Sequence, residues 1–352
     1  MLAYFRLATQ KTRFVPCGTS GVRRSKSAVS MGEFGFTTKG HNVVAAFEDQ
    51  VQGKTFAITG PSEGGIGGQI AMDLAKASPA RLILFGRSLD RTKNVIDAIN
   101  LASKTPVQIS FIEVMLESLA SVRKAAREVT SDPDIKAIDG IVNNAGIMSL
   151  PNYTASADGL EMQLAVNHLS HFLLTNLLMP KLLAAEHPRV VNLSSYGHRL
   201  SAFRFDDPLW SDGATYDRLY AYAQSKTANV LFSVSLNQKL WQKSHLRSYA
   251  VDPGSVATKL ARHMDSEGWS TGLEYFSKHG ITRPGRKSAE EGVAGPLRAL
   301  LQPDLATEAG VYMTDTQLTV DPEVIKPYAA DPEEAEKLWK LSEDLVGQNF
   351  VY

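Results

Sequence analysis

From about Val51 onward, short runs of consecutive apolar residues alternate with longer segments in which apolar residues return every three or four positions. The runs Thr55–Thr59, Arg81–Phe85, Gln108–Val114, Gly140–Asn143, Arg189–Leu193 and Arg247–Val251 predict strands. Helical spacing over Gly67–Ala77, Leu89–Ser103, Ser118–Val129, Gly159–Leu183 and Tyr220–Trp241 predicts the helices between them. Such alternation implies right-handed crossovers and a parallel sheet. The strands read as continuous apolar runs, as expected where both faces are covered. The pattern therefore predicts an α/β fold with a doubly wound parallel sheet. No repeat, low-complexity tract or clear linker follows residue 35, so residues 36–352 read as one domain.

Composition adds exclusions. The chain has 352 residues, is 43% hydrophobic and carries a formal net charge of +0. No global field draws it to nucleic acid or to an anionic membrane. Cys17 is the single cysteine, which excludes an intramolecular disulfide and multi-thiolate zinc sites and suits an intracellular protein. The longest apolar runs, such as Phe172–Met179, are well short of the roughly 18 residues of a membrane span. Residues 1–35 differ: Arg6, Lys11, Arg13, Arg23, Arg24 and Lys26 all precede the first acid, Glu33. That basic extension suits a mitochondrial or plastid targeting peptide, a disordered tail, or an upstream start with Met31 as the true beginning. A cytoplasmic location is the simplest expectation.

The candidate chemistry begins at "TGPSEGGIGGQIA", Thr59–Ala71, between the first strand and the first helix. A dinucleotide-binding turn needs that setting. Gly60 would allow the tight exit, Gly65 a close approach to pyrophosphate, and Gly67, after Ile66, close packing of helix on sheet. The phosphates would rest on the helix N-terminus. Between Gly60 and Gly65 lie four residues where the short nucleotide turn has three. Further on, Tyr222 and Lys226 form a Y-x-x-x-K pair on one helix face. A phenol titrates near ~10, and a neighbouring ammonium lowers that value, giving a tunable proton donor and acceptor. Ser194-Ser195, the run Asn143-Asn144-Ala145-Gly146, and Asn167 all fall toward the strands' C-terminal edge, where ligands bind in open α/β sheets.

In order, "TGPSEGGIG", "NNAG", Asn167, "NLSS", "YAQSK" and "VDPGSVATK" resemble the short-chain dehydrogenase/reductase family. The resemblance runs from about Phe34 to Gly347 and is nearest the branch of retinol dehydrogenases and protochlorophyllide reductases. It implies a Rossmann fold with a substrate-covering insertion near the C-terminus. It also implies that Tyr222 is the general acid/base and that Lys226 lowers its pKa and holds the nicotinamide ribose. Ser195 would bind the substrate oxygen, and Asn167 a water leading from Lys226 to solvent. Pro253, Gly254, Val256 and Thr258 would embrace the nicotinamide amide and phosphates. Asn143 would brace the sheet, and Gly146, in the same run as Asn144 and Ala145, would pack on adenosine.

Two departures stand out: the lengthened glycine turn, and Met115-Leu116 where the family has an Asp-Leu pair touching adenine. Glu113 is two residues away and does not replace that Asp directly. The second strand ends in Gly86-Arg87-Ser88 without an acid until Asp90, so Arg87 favours NADP over NAD. His168 and His171 lack an obvious third metal ligand, and His198 near Ser195 lacks a G-x-S-x-G elbow. No metal is expected. The leading expectation is an NADP-dependent oxidoreductase acting on a carbonyl or alcohol group of a fairly apolar small molecule, a lipid, retinoid or secondary metabolite. Lys259–Arg286 would cover that substrate through Met264, Trp269, Leu273, Tyr275 and Phe276, with no obvious anion clamp. Homo-oligomerisation is open. The alternative is a non-catalytic NADP-binding or partner-binding protein on the same fold. Light-driven pyrrole reduction fits poorly, because it relies on active-site cysteines.

Overall fold

The computed structural model describes residues 34–352, so the basic N-terminal residues lie outside what is described. Ten strands form: β1 Thr55–Thr59, β2 Arg81–Gly86, β3 Gln108–Glu113, β4 Gly140–Asn143, β5 Arg189–Leu193, β6 Arg247–Val251, β7 Ser255–Val256, β8 Arg286–Lys287, β9 Tyr312–Thr314 and β10 Gln317–Thr319. Eight of them make one sheet in the order β10-β9-β6-β5-β4-β1-β2-β3, all parallel except the β9–β10 hairpin. The order reverses between β1 and β4, where a parallel sheet opens a crevice for ligands.

Side chains alternate between two cores, one on each face. Along β1 and β2, Ala57, Ile83 and Phe85 join Phe172, Phe232 and Trp339 on one side. Phe56, Ile58, Leu82 and Leu84 join Leu74, Val95 and Leu297 on the other. Four early helices are α1 Gly40–Ala46, α2 Ile66–Ala75, α3 Leu89–Ala102 and α4 Leu119–Ser131. The 27-residue helix Arg218–Ser244 is the longest, and Asp217 caps it by accepting hydrogen bonds from Leu219 N and Tyr220 N. The helix expected over 159–183 instead starts at Met162, widens into a π turn at Ala165–Leu169, and continues to Leu177.

Phe34 and Gly35, at the end of the segment read as an extension, lie against the body of the fold. Phe34 stacks near Phe47 and under Arg298, and Thr316 Oγ1 donates to the Gly35 carbonyl. The β9–β10 hairpin, absent from the expected strands, is only three residues a side. It is fixed by Arg298, which donates to the Thr316 carbonyl and to Gln302 Oε1. Runs so short leave no periodicity to read.

Candidate active site

The glycine turn absorbs its extra residue by folding back on itself. Ser62 N donates to Gly60 O at 2.8 Å and Gly65 N to Ser62 O at 3.0 Å, with Gly60 and Gly64 at φ +68° and +69°. Non-glycine residues rarely take that conformation. The insertion thus ends before α2, and Gly65 sits at its N-cap with its N-terminal N–H groups turned to the cleft. A Cβ on Gly67 would lie 2.6 Å from Gly60 O and 2.5 Å from Asn144 Nδ2, so the helix approaches as closely as the glycine permits.

Thr59, the last residue of β1, ties this turn to the next strand end. Its Oγ1 accepts from Asn144 N and Ala145 N at 2.9 and 3.0 Å and meets His171 Nε2 at 2.9 Å. Asn143 donates to Thr175 Oγ1 and Asn192 Oδ1, and Asn192 donates on to Ser233 and Ser248. A buried amide–hydroxyl chain therefore joins β4, β5 and β6 behind the site.

Ser195, Tyr222 and Lys226 come together on the floor of a cleft of about 1030 Å³. Gly60, Gly65, Ile66, Arg87, Asn144, Ala145, Gly146, Pro253, Gly254, Val256 and Thr258 line the same cleft. Gly67, Asn143 and Asn167 stand behind its wall. Lys226 Nζ lies 5.5 Å from the Tyr222 ring centre and donates to Leu193 O at 3.0 Å. The π turn aims Asn167 inward, where it bonds both the N–H and the C=O of Ile147 and reaches Ser225 Oγ, each at 2.9 Å. Asn167 thereby holds the strand-end loop beside Lys226.

Electrostatics here differ from the expectation that Lys226 pulls Tyr222 down. Burial raises the Tyr222 phenol above its usual range, opposed by the hydrogen bond with Ser195. Burial also lowers the Lys226 ammonium to about 8, opposed by the Asp252 charge. Desolvation lifts Asp252 itself to about 6 although Gly254 N and Lys287 favour its carboxylate. Both catalytic candidates thus rest in their neutral-leaning environments, and an anionic neighbour would favour the charged lysine.

At the far end, Arg87 closes β2 and lines the cleft with Arg91 and Arg262. The Arg262 guanidinium is held below its ordinary value by burial and by Arg87. Glu63, on the same rim, is bonded to Asn94 Nδ2 at 2.9 Å. Leu116 and Glu117 reach the cleft, whereas Glu113 and Met115 do not.

The segment between β7 and β8 forms the roof. Pairing of Ser255 with Arg286 and Val256 with Lys287 brings its two ends together. Its helix Ser266–Lys278 turns Trp269, Gly272, Leu273 and Phe276 toward the cleft. Arg218, the first residue of the long helix, donates to Ser149 Oγ at 2.7 Å, to His263 O at 2.5 Å and to Asp265 Oδ1 at 3.2 Å. Tyr275 donates to Asp217 Oδ2 at 2.8 Å and stacks on Tyr220 at 4.8 Å. The roof is therefore latched to the start of the helix that carries Tyr222 and Lys226. Arg218 was not expected from sequence, because its partners lie 45 to 69 residues away.

The histidines take other partners. His168 bonds Ser342 Oγ, His171 bonds Thr59, and His198 contacts the Ser195 carbonyl rather than its hydroxyl. Burial lowers all three imidazoles, to about 3, 4 and 4.

A family model described as short chain dehydrogenase matches residues 54–205. Human retinol dehydrogenase 12 is 35% identical over 298 residues, covering 85% of this chain and 88% of that protein. Short-chain dehydrogenase/reductase prx1 of Penicillium roqueforti is 34% identical over 308 residues, 84% of this chain and 85% of that protein. The crystal structure of an uncharacterised protein from Mycobacterium paratuberculosis superposes with a TM-score of 0.64 at 30% identity, over 86% of this chain and 96% of that one. Among the described residues, no helix is long and apolar enough to cross a membrane.

Proposed function

Since this chain belongs to the short-chain dehydrogenase/reductase family, in its retinol dehydrogenase-like branch, we propose that it is an NADP-dependent oxidoreductase interconverting a carbonyl and an alcohol on a fairly apolar small molecule. Convergence of Ser195, Tyr222 and Lys226 on one cleft with the glycine turn is the observation that carries this reading. The cleft fits a dinucleotide: its glycine cradle leaves no room for side chains at Gly67, and the α2 N-terminus offers N–H groups to a pyrophosphate. Gly60, Gly65 and Ile66 would hold the phosphates, Ala145 and Gly146 the adenosine side, and Pro253, Gly254, Val256 and Thr258 the nicotinamide end. When bound, the cofactor gives or takes hydride at its nicotinamide.

The chain's own residues manage the proton and the oxygen. Ser195 Oγ, fixed by accepting from Gly197 N at 3.0 Å, bonds the substrate oxygen. Tyr222 gives its phenolic proton to that oxygen in reduction and takes it back in oxidation. Raised by burial, it is fully protonated at neutral pH, which suits the reductive direction. Lys226 holds ribose hydroxyls and stabilises the phenolate once the proton has left. Arg87, assisted by Arg91 and Arg262, favours a 2′-phosphate. The apolar roof favours a substrate with little exposed polarity.

The test is a panel of aldehydes and ketones followed by NADPH absorbance. Tyr222→Phe keeps the ring and should lower turnover by roughly 10²–10⁴-fold with NADPH affinity nearly unchanged. Lys226→Ala should weaken both. Undiminished turnover in Tyr222→Phe would remove the phenol from the mechanism. A native protein that binds NADPH yet reduces nothing would favour a binding module.

A further inference from the structure

The substrate end of the cleft is lined by Met148, Leu150, Leu200, Leu219, Met264 and Leu273, and a guanidinium lines the same cleft. Arg283 follows the roof helix and reaches back over the Trp269 ring, its guanidinium carbon 5.0 Å from the ring centre. It is half-buried, and no carboxylate pairs with it among the described residues. Of the other roof and rim cations, Arg218 pairs with Asp265 and Lys287 with Asp315, whereas Arg87, Arg91, Lys259 and Arg262 have no carboxylate partner among the described residues either. The buried acid of the cleft wall, Asp252, is engaged by Gly254 N and Lys287. Arg283 stands beside the Tyr196 hydroxyl, and Tyr196 packs on Phe276 at 5.2 Å.

We propose that Arg283, with the Tyr196 hydroxyl, is the anchor for a carboxylate carried by the substrate, which makes the substrate an apolar oxo- or hydroxy-carboxylate. The assignment rests on the oxidoreductase reading of the same cleft. Three features carry it. A guanidinium resting over an indole can still offer N–H groups from its edge, and that fork matches a carboxylate in bidentate fashion. The contact with the ring also restrains the side chain, so less rotamer freedom is lost on binding. Tyr196 lines the cleft with Ser195 and packs on Phe276 of the apolar roof helix, whereas the glycine turn serves phosphates at the opposite end. A single planar fork suits a monoanionic carboxylate better than a phosphate dianion. This revises the expectation from sequence that the roof carries no anion clamp. Arg283 carries no signal in the sequence, because the irregular stretch "ITRPG" has nothing nearby to mark it.

The experiment separates binding from turnover. With NADP⁺ saturating, decanoate and decan-1-ol are titrated into the native protein and into Arg283→Met and Arg283→Lys, read by tryptophan emission with Trp269→Phe as control. The native protein should prefer decanoate roughly ten- to a hundredfold, as expected of a hydrogen-bonded charge. Arg283→Met should bring the two ligands level, and Arg283→Lys should keep part of the preference because it retains charge without the fork. A second arm compares NADPH-driven reduction of a medium-chain oxo-carboxylate with its methyl ester, where the preference should appear mainly in KM. Equal binding of acid and alcohol by the native protein, or an undiminished preference in Arg283→Met, overturns the anchor. A carboxylate preference that depends on Arg283, without hydride transfer to any carbonyl, leaves the anchor standing and overturns the oxidoreductase reading.

Discussion

Tyr222 and Lys226 are buried deeply enough that loss of water, more than mutual attraction, sets their proton affinities. The lysine then gives the reaction its alkaline limit. Because Lys226 loses its proton near a pH of about 8, stabilisation of the phenolate fades as pH rises through that value. The rate of carbonyl reduction should fall there, as measured by initial rates from pH 6.5 to 9.5 at saturating cofactor. A flat profile to pH 9.5 would show that bound cofactor restores the ammonium fully. Arg87 is the second residue with a sharp consequence. Replacing it with Asp puts a repelling charge where a phosphate would rest, and a charge-assisted bond is worth about 1.5–3 kcal/mol. The NADPH-to-NADH ratio of kcat/KM should drop by about ten- to a hundredfold; an unmoved ratio would hand the role to Arg91 or Arg262. Serine, tyrosine and lysine were legible in the sequence because the fold brings short, ordered motifs to one sheet edge. Arg218, Arg262 and Arg283 were not, because a lone arginine acquires meaning only from partners that the chain supplies far away.

At the scale of elements, the six parallel strands of the central sheet were legible because each is a short, apolar-rich run between turns and helical spacing. The π turn at Ala165–Leu169 was not, since one widened turn barely disturbs helical spacing. It matters nonetheless: Asn167 enters the wall through it. The roof and the long helix behave as one device, joined by Arg218 and by the Asp217–Tyr275 bond. Arg218→Ala removes bonds to Ser149, His263 and Asp265 together while leaving the catalytic side chains in place. The roof should loosen, raising KM roughly tenfold with a smaller change in kcat. Limited proteolysis should then cut faster between residues 257 and 285. Unaltered KM and cleavage would mean that the Tyr275 latch suffices alone.

For the whole molecule, buried ionisable groups decide how the fold responds to acid. His168, His171 and His198 titrate near 3, 4 and 4 when folded, below the 6.5 of an exposed imidazole. Their stabilising effect is complete above pH 6.5 and is lost as pH falls toward 4, because the unfolded chain binds the protons first. Glu161 and Asp252 act oppositely, since burial raises them to about 7 and 6 and the folded state takes up their protons. Between pH 7 and 5 the three histidines destabilise the fold and the two carboxyls offset part of that loss. A lower denaturant midpoint is expected at pH 5 than at pH 7; a higher one would show that the carboxyls dominate. The two-residue pairing of β7 with β8 has a different kind of consequence. It sets both ends of the roof one strand-spacing apart on the rim of an otherwise complete sheet. Doubling the length of a loop anchored in this way adds only about 0.6 kcal/mol of closure entropy. The outer roof is therefore an exchangeable cassette: length added after its helix, in residues 279–285, would change substrate preference cheaply while Thr258 and Arg262 stay with the cofactor and Asp217 and Arg218 keep their latches.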